Sequence, residues 1–173
     1  AHPNIKESQA NKALVDAVSD MEGVAVFNLY ELSQEIAFNV DEWSKIISDA
    51  SAVIYQFPFY WMSAPSLLKK WQDEIFTFLS KTPAVAGKSL TVVTTTGSEY
   101  EAYRSGGRNR FTMDELLRPY QVSAIHSGMS WQTPIVVYGM GTADAGKNIA
   151  EGANLYKQRV EMLIGNSNAG NNW

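Results

Sequence analysis

Two short apolar runs, each preceded by residues with helical spacing, constrain the fold of this 173-residue chain more than any other feature. Residues 52–58 read Ala-Val-Ile-Tyr-Gln-Phe-Pro, and residues 89–94 read Ser-Leu-Thr-Val-Val-Thr. Strands buried on both faces have nearly continuous apolar sequences, and such strands belong almost only to parallel sheets covered by helices. The chain is therefore predicted to be an α/β protein.

Helix-like and strand-like patterns keep alternating along the rest of the chain. This alternation predicts a three-layer fold, in which right-handed crossovers join the strands of a parallel sheet. The other predicted strands cover 23–29 and 133–138. The predicted helices begin at Ser8, cover 41–50 and 65–79, follow the capping box Thr112–Glu115 with a kink near Pro119, and cover 149–163.

The two ends of the chain carry expectations of their own. Residues 1–164 are predicted to form one domain, and residues 165–173, rich in Gly and Asn, a flexible polar tail. A doubly wound sheet needs a central strand immediately before Ala1-His2-Pro3. We therefore expect the first strand to be missing from this chain, with a short apolar run before Ala1 in the natural protein or another segment in its place.

Composition excludes several classes of function. The chain has no cysteine, which excludes disulfides, thiolate nucleophiles and iron–sulfur clusters, so redox chemistry requires a bound organic cofactor. His2 and His126 lack metal-ligand spacing, and no metal is expected. A net charge of -4 argues against a nucleic-acid partner. No apolar run has the roughly 18 to 20 residues that cross a bilayer, so we expect a cytoplasmic protein without membrane insertion.

Three loops follow the predicted elements at the edge where parallel α/β sheets bind ligands: 1–11, 57–64 and 94–107. In the first, His2, Ser8 and Asn11 surround a helix start, which favours a phosphate; alternatively, Ser8 is only a helix cap. The second concentrates aromatic residues that suit a flat ring, although a core or a subunit interface uses the same residues.

The third loop combines hydroxyls with Gly97, which allows a ligand to approach the backbone closely. An ordinary turn has the same composition, so this loop alone leaves both interpretations open. Arg104, Arg108 and Arg110 follow it and suit the 2′-phosphate of NADPH, with a solvated basic loop as the alternative.

Several of these motifs match the motifs of a known family and follow in the same order along the chain. The motifs are Ala1-His2-Pro3 with Ser8-x-x-Asn11, Gln56-Phe57-Pro58-Phe59-Tyr60-Trp61, the helix start 65–73, Thr95-Thr96-Gly97-Ser98-Glu99, residues 115–119, and Gly128-Met129. The chain resembles the flavodoxin-like NAD(P)H:quinone oxidoreductases, in the branch of general stress protein 14 and the ancillary oxidoreductase of glutathione-regulated potassium efflux.

The resemblance implies a flavodoxin-like fold, a tightly bound FMN or FAD, NAD(P)H as co-substrate, and hydride transfer to a quinone-like acceptor in a homodimer. It implies a catalytic role for Tyr103 in stabilising charge on the reduced ring. The implied cofactor-binding residues are His2, Ser8, Gln9, Ala10 and Asn11 for the phosphate, Pro58, Phe59, Tyr60, Trp61 and Met62 for the ring, and Thr95, Thr96, Gly97 and Ser98 for its pyrimidine side.

Two departures from the family pattern leave a second function open. The family's glycine-flanked aromatic loop is shortened to 78–83, and its Asn-His pair reads Asn109-Arg110. The alternative is a regulatory subunit that binds flavin or nucleotide on a potassium-efflux transporter, with little turnover. A one-electron flavodoxin is disfavoured by the mild charge and by the lack of a Gly-rich phosphate loop.

Overall fold

A computed structural model describes residues 1–32 and 38–170 of the chain, with side chains through residue 166. Four strands and eight helices form the described part, with short 3₁₀ turns between some of them. The strands are β1 Ala52–Pro58, β2 Ser89–Thr95, β3 Ser130–Trp131 and β4 Ile135–Val137. The helices are α1 Gln9–Asp16, α2 Leu29–Leu32, α3 Val40–Asp49, α4 Ser66–Trp71, α5 Thr77–Leu79, α6 Met113–Leu116, α7 Arg118–His126 and α8 Ala145–Gly170.

The sheet is parallel, and β2 is its central strand. Along one edge, β2 pairs with the whole of β1, from Ala52 opposite Ser89 to Pro58 opposite Thr95. Along the other edge, β2 pairs first with β3 and then with β4, so these two pieces act as one interrupted strand. The predicted parallel α/β class is confirmed, with the predicted last strand divided in two.

Helices cover both faces of this sheet, which gives the predicted three layers. On one face, α1 and α8 pack on β2 and β4 around Leu14, Val93 and Tyr156. On the other face, α3, α4 and α7 pack on β1 and β2 around Trp43, Trp71, Tyr120 and other buried residues. Val92 and Val93 are both fully buried and belong to opposite clusters, as the period-2 alternation of a strand requires.

The predicted helix 65–79 is confirmed, but it is not a uniform α-helix. Between α4 and α5, Gln72–Phe76 forms a wider π-helical turn. The turn buries Ile75 and Phe76, and the Phe76 ring lies 6.3 Å from the Trp71 ring. A π-helical turn has i→i+5 hydrogen bonds, so it holds about one residue more than an α-helical turn.

The predicted strand at 23–29 is wrong. Residues 24–28 have no regular structure, α2 begins at Leu29, and Val26 and Phe27 are about half exposed. A β-rich sequence forms a strand only when another strand pairs with it. Among the described residues, no strand pairs with 24–28 or with the outer edge of β1.

An apolar channel of about 710 Å³ lies between 23–28 and the outer edge of β1, and we call it the edge groove. Its walls include Val24, Val26, Val53 and Ile54. No described segment occupies the place of the strand that we expect to be missing beside β1. An apolar run before Ala1 stays a prediction.

The last helix and the predicted tail overlap. Helix α8 continues to Gly170, past the predicted boundary at residue 164, while residues 171–173 lie outside the described residues. The division into a domain and a flexible tail therefore stays a prediction. Within residues 1–32 and 38–170, no helix has the length and apolarity that a bilayer crossing requires.

Candidate functional site

A cavity of about 670 Å³ opens at the carboxyl ends of β1 and β2. It brings together three stretches that are distant in the sequence, together with the start of α8. Its lining residues are His2, Ser8, Gln9, Ala10, Asn11, Pro58, Phe59, Tyr60, Trp61, Thr95, Thr96, Gly97, Met140, Ala145 and Ile149.

One end of the cavity is formed by the start of α1. Ser8 caps this helix, since its hydroxyl accepts a hydrogen bond from the backbone N–H of Asn11 at 3.1 Å. The other first-turn N–H groups of a helix have no intrahelical acceptor, and the helix dipole adds positive potential there. This end of the cavity therefore suits an anion.

His2 lies beside the same end. Its Nδ1 accepts a hydrogen bond from the backbone N–H of Asn4 at 3.0 Å, so a neutral ring carries its proton on Nε2. Burial lowers the pKa of His2. A neutral imidazole that donates from Nε2 is therefore the dominant form at pH 7.

The second stretch forms a tight turn that directs an aromatic ring outward. Tyr60 and Ser63 exchange two backbone hydrogen bonds, of 2.8 and 3.0 Å, around Trp61 and Met62. Both central residues have positive φ, 47° and 63°, although neither is glycine. Such backbone costs about 1–3 kcal/mol per residue and is concentrated at ligand sites. The turn leaves the Trp61 side chain 96% exposed at the cavity mouth.

The third stretch is fixed by the loop after β4. The backbone N–H of Met140 donates to Thr96 O at 2.9 Å, and that of Gly141 donates to Gly97 O at 2.9 Å. A side chain at Gly141 would bring its Cβ within 3.1 Å of Gly97 O, so this close approach favours glycine. These bonds explain why Met140 reaches the cavity.

Most of the predicted binding residues line this one cavity, and three predicted site residues do not. Met62, in the turn between Tyr60 and Ser63, and Ser98, which follows Gly97, are not among the residues that line the cavity. Tyr103 is 6% exposed and packs against Phe59, with 6.2 Å between the two ring centres. Its place at the reacting ring stays a prediction.

Sequence reasoning missed Met140, Ala145 and Ile149 in the cavity lining. They follow β4, and the carboxyl-end rule applied to that strand would have nominated the same region. The sequence did not show where β4 ends. Just after the strand, Gly139 has φ 77° and its backbone N–H donates to Ser98 O.

Two arginines of the basic loop contact the third stretch. Arg108 donates a hydrogen bond from Nη2 to Ser98 Oγ at 2.5 Å, and the Arg104 guanidinium lies 5.7 Å from the centre of the Tyr100 ring. The ring of Tyr138 packs against Tyr100 and Tyr103. Burial, followed by the nearby Tyr100, raises the pKa of Tyr138 to about 12, so its phenol stays protonated.

The cavity thus joins two chemical environments. The start of α1 offers backbone N–H groups, and the His2 imidazole contacts the edge of the Tyr60 ring, 6.4 Å between ring centres. Phe59, Met140 and Ile149 give the cavity its apolar lining. A ligand with an anionic tail and a flat, mostly apolar body matches this division. The donor set suits an organic cofactor.

Three curated relatives match most of this chain. General stress protein 14 of Bacillus subtilis is 35% identical over 165 residues, 93% of this chain and 94% of the relative. The uncharacterized NAD(P)H oxidoreductase YdeQ of the same organism is 35% identical over 94% of this chain and 84% of its own length. The potassium-efflux ancillary protein KefG of Pectobacterium atrosepticum is 34% identical over 80% and 78%.

Solved structures agree with these matches. The general stress protein 14 of Treponema denticola in complex with FMN has a TM-score of 0.85 and 28% identity, covering 94% of this chain and 95% of its own. An NADPH-quinone reductase from P. pentosaceus has a TM-score of 0.77 and 27% identity, covering 91% and 92%. A family model described as a flavodoxin-like fold matches residues 1–160.

Proposed function

Because the chain belongs to the flavodoxin-like fold family, we propose that it is an oxidoreductase that transfers hydride from NAD(P)H, through a bound flavin, to a quinone-type acceptor. The family relatives include an NAD(P)H oxidoreductase and an NADPH-quinone reductase. The observation that carries the proposal is the cavity of about 670 Å³, which has an anion-binding end and an aromatic wall. The FMN complex of a matched structure favours FMN over FAD.

The residues present fit a flavin with its phosphate. The start of α1, with Ser8 and the His2 imidazole, would hold the phosphate. Phe59, Tyr60 and Trp61 would lie along the ring. The backbone around Thr96 and Gly97 would face its polar edge, in the region where Gly97 leaves room for close approach.

The chain's share of the reaction is binding and orientation. When bound, the flavin supplies reversible two-electron hydride acceptance. The rigid third stretch, tied by hydrogen bonds to Met140 and Gly141, keeps its backbone groups in place before reaction, which is the preorganisation that stabilises developing charge. With the ring in place, Phe59, Tyr60 and Trp61 would cover one of its faces and keep water from that face.

Tyr103 has a proposed role as a stabiliser of charge near the ring. Its ring packs against Phe59, so a Tyr103→Phe variant keeps the packing and removes only the hydroxyl. We expect turnover with a quinone to fall at least about tenfold if this hydroxyl helps hydride transfer. Tyr100→Phe, which removes a hydroxyl from a half-exposed ring, is the matched control. Unchanged turnover in Tyr103→Phe would contradict the role.

The experiment on the whole proposal starts from the purified chain. We expect flavin bands in its visible absorption spectrum, and the mass of the cofactor released on denaturation identifies FMN or FAD. NADPH and NADH consumption is then followed with a benzoquinone as acceptor. A chain that binds no flavin after incubation with FMN and FAD would overturn the proposal.

A second candidate function is favoured by the match to KefG, which names an ancillary protein of a potassium-efflux system. In this alternative, the flavin-loaded chain regulates such a transporter with little turnover. Flavin binding with negligible benzoquinone reduction, and flavin-dependent binding to the transporter, would favour it.

A homodimer is part of the proposal, and we propose that the partner subunit covers the exposed Trp61 beside the cavity. Light scattering measures the oligomeric state. A wild-type monomer that still reduces quinones would contradict an active site shared between subunits.

A further inference from the structure

One buried side chain joins the two ends of the cavity. Asn11 is 2% exposed, and its Nδ2 lies 3.0 Å from Thr95 Oγ1, across 84 positions of sequence. Asn11 belongs to the first turn of α1, and Thr95 is the last residue of β2. The pair therefore connects the anion-binding end directly to the third stretch.

Each partner is also anchored on its own side. The backbone N–H of Asn11 donates to the Ser8 hydroxyl, and its carbonyl accepts from Gln56 Nε2 at 2.9 Å. The carbonyl of Thr95 accepts from the backbone N–H of Phe59 at 2.9 Å. The Asn11–Thr95 bond thus links all three stretches that line the cavity.

The chemistry of the pair makes it a stiff connection. Thr95 is 5% exposed, so water has little access to compete for the bond. A threonine hydroxyl either donates or accepts, so the bond forms with either orientation of the Asn11 amide. Breaking the bond leaves a buried polar group on each side without its partner. Each such group costs free energy, because it has given up water without gaining a hydrogen bond.

We propose that the Asn11 and Thr95 side chains form a brace that sets the distance between the phosphate end and the ring end of the cavity. Both act here as positioning residues, because Asn11 Nδ2 and Thr95 Oγ1 bond to one another, while Asn11 Oδ1 is buried and has no hydrogen-bond partner among the described residues. The inference rests on the proposed function and adds a prediction about which ligands depend on the brace.

A ligand that spans both ends depends on their spacing, whereas a ligand that occupies one end does not. FMN spans both ends, and riboflavin lacks the phosphate. The ratio of the riboflavin Kd to the FMN Kd therefore measures how well the phosphate end is placed relative to the ring end. Loss of the brace is expected to lower this ratio about tenfold, while riboflavin binding changes less.

The test is a double-mutant cycle on the full-length apoprotein, with both Kd values measured by flavin fluorescence. The variants are Asn11→Leu, Thr95→Val and the double variant, with Thr95→Ser to restore the hydroxyl. Asn39→Ala is the control, because it removes a helix cap with two side-chain hydrogen bonds at the start of α3, outside the cavity lining. The brace predicts the same ratio in Asn11→Leu, Thr95→Val and the double variant, because the two substitutions remove one shared bond.

Three results separate the brace from other roles. A Thr95→Val variant with the wild-type ratio would overturn it, even if Asn11→Leu fails to fold. Losses that multiply in the double variant would overturn it too, since Asn11 would then contact the phosphate independently. Recovery of the ratio in Thr95→Ser, with no change in Asn39→Ala, would support it.

The wild type separates a failure of the brace from a failure of the proposed function. A wild type that binds neither FMN nor riboflavin would overturn both. If the wild type and all variants bind both flavins with the same Kd values, only the brace is overturned.

Discussion

The two edges of strand β1 differ in pairing and in burial. The side facing β2 is paired along all seven residues, and β2 itself is buried at every position after Ser89. The side facing 23–28 borders the edge groove, and β1 is only partly buried over 52–54. Burial in this sheet follows the pairing of the backbone more closely than the hydrophobicity of the sequence, because 24–28 is as apolar as β1 but remains outside the sheet.

Hydrogen exchange provides the widest test of this difference. We expect the amides of β2 to exchange only through global unfolding, and those of 25–28 through local opening at almost no cost. The protection factors should differ by at least about 10³-fold, since global unfolding costs about 5 kcal/mol or more. Exchange is followed residue by residue by NMR. Strong protection of 25–28 would show that this segment is paired in solution.

A matched pair of valine truncations measures the same contrast in stability. Val92→Ala removes two methyl groups from a fully buried position, and we expect a loss of about 2–3 kcal/mol in the free energy of unfolding. Val26→Ala removes the same groups from a side chain that is 46% exposed, and we expect a change within about 0.5 kcal/mol. Urea denaturation measures both, and equal losses would refute the contrast.

Two glycines of α8 test how tightly the paired side is packed. A Cβ at Gly152 would lie 2.4 Å from Val137 Cγ2 of β4, so Gly152→Ala should cost about 1–2 kcal/mol through overpacking. Gly165 has open space around it, and Gly165→Ala should be neutral or stabilising by up to about 1 kcal/mol, because alanine favours helix. Thermal unfolding of the two variants gives the comparison. A tolerated Gly152→Ala would mean that α8 moves freely on β4.

The sequence predicted the elements whose signals are local or fully buried. The Ser8 cap and the Thr112–Glu115 capping box are both present, and the α6 helix ends before Pro119 begins α7 with its neighbour Arg118. These features depend on residues three or four apart. The strand at 23–29 failed because its formation depends on a pairing partner elsewhere, which local pattern does not report.

The candidate site divides in the same way. The carboxyl-end rule nominated the stretches that contain His2, Phe59 and Thr96, and these residues line one cavity. Met140 was missed because it reaches the cavity through backbone hydrogen bonds between two loops. Tyr103 was placed at the ring by resemblance, and its contact with Phe59, which lines the cavity, leaves that role a prediction.

The wide turn Gln72–Phe76 holds about one residue more than an α-helical turn. Deleting one residue there would leave a regular helix in which the later side chains keep their direction, so Leu79, now 1% exposed, would stay in the core. A one-residue deletion before Val160 in the regular helix α8 would instead rotate one part of that helix against the other by about 100° and turn Val160 away from the sheet. Natural variants of this protein should therefore show one-residue gaps at Gln72–Phe76 more often than inside α8.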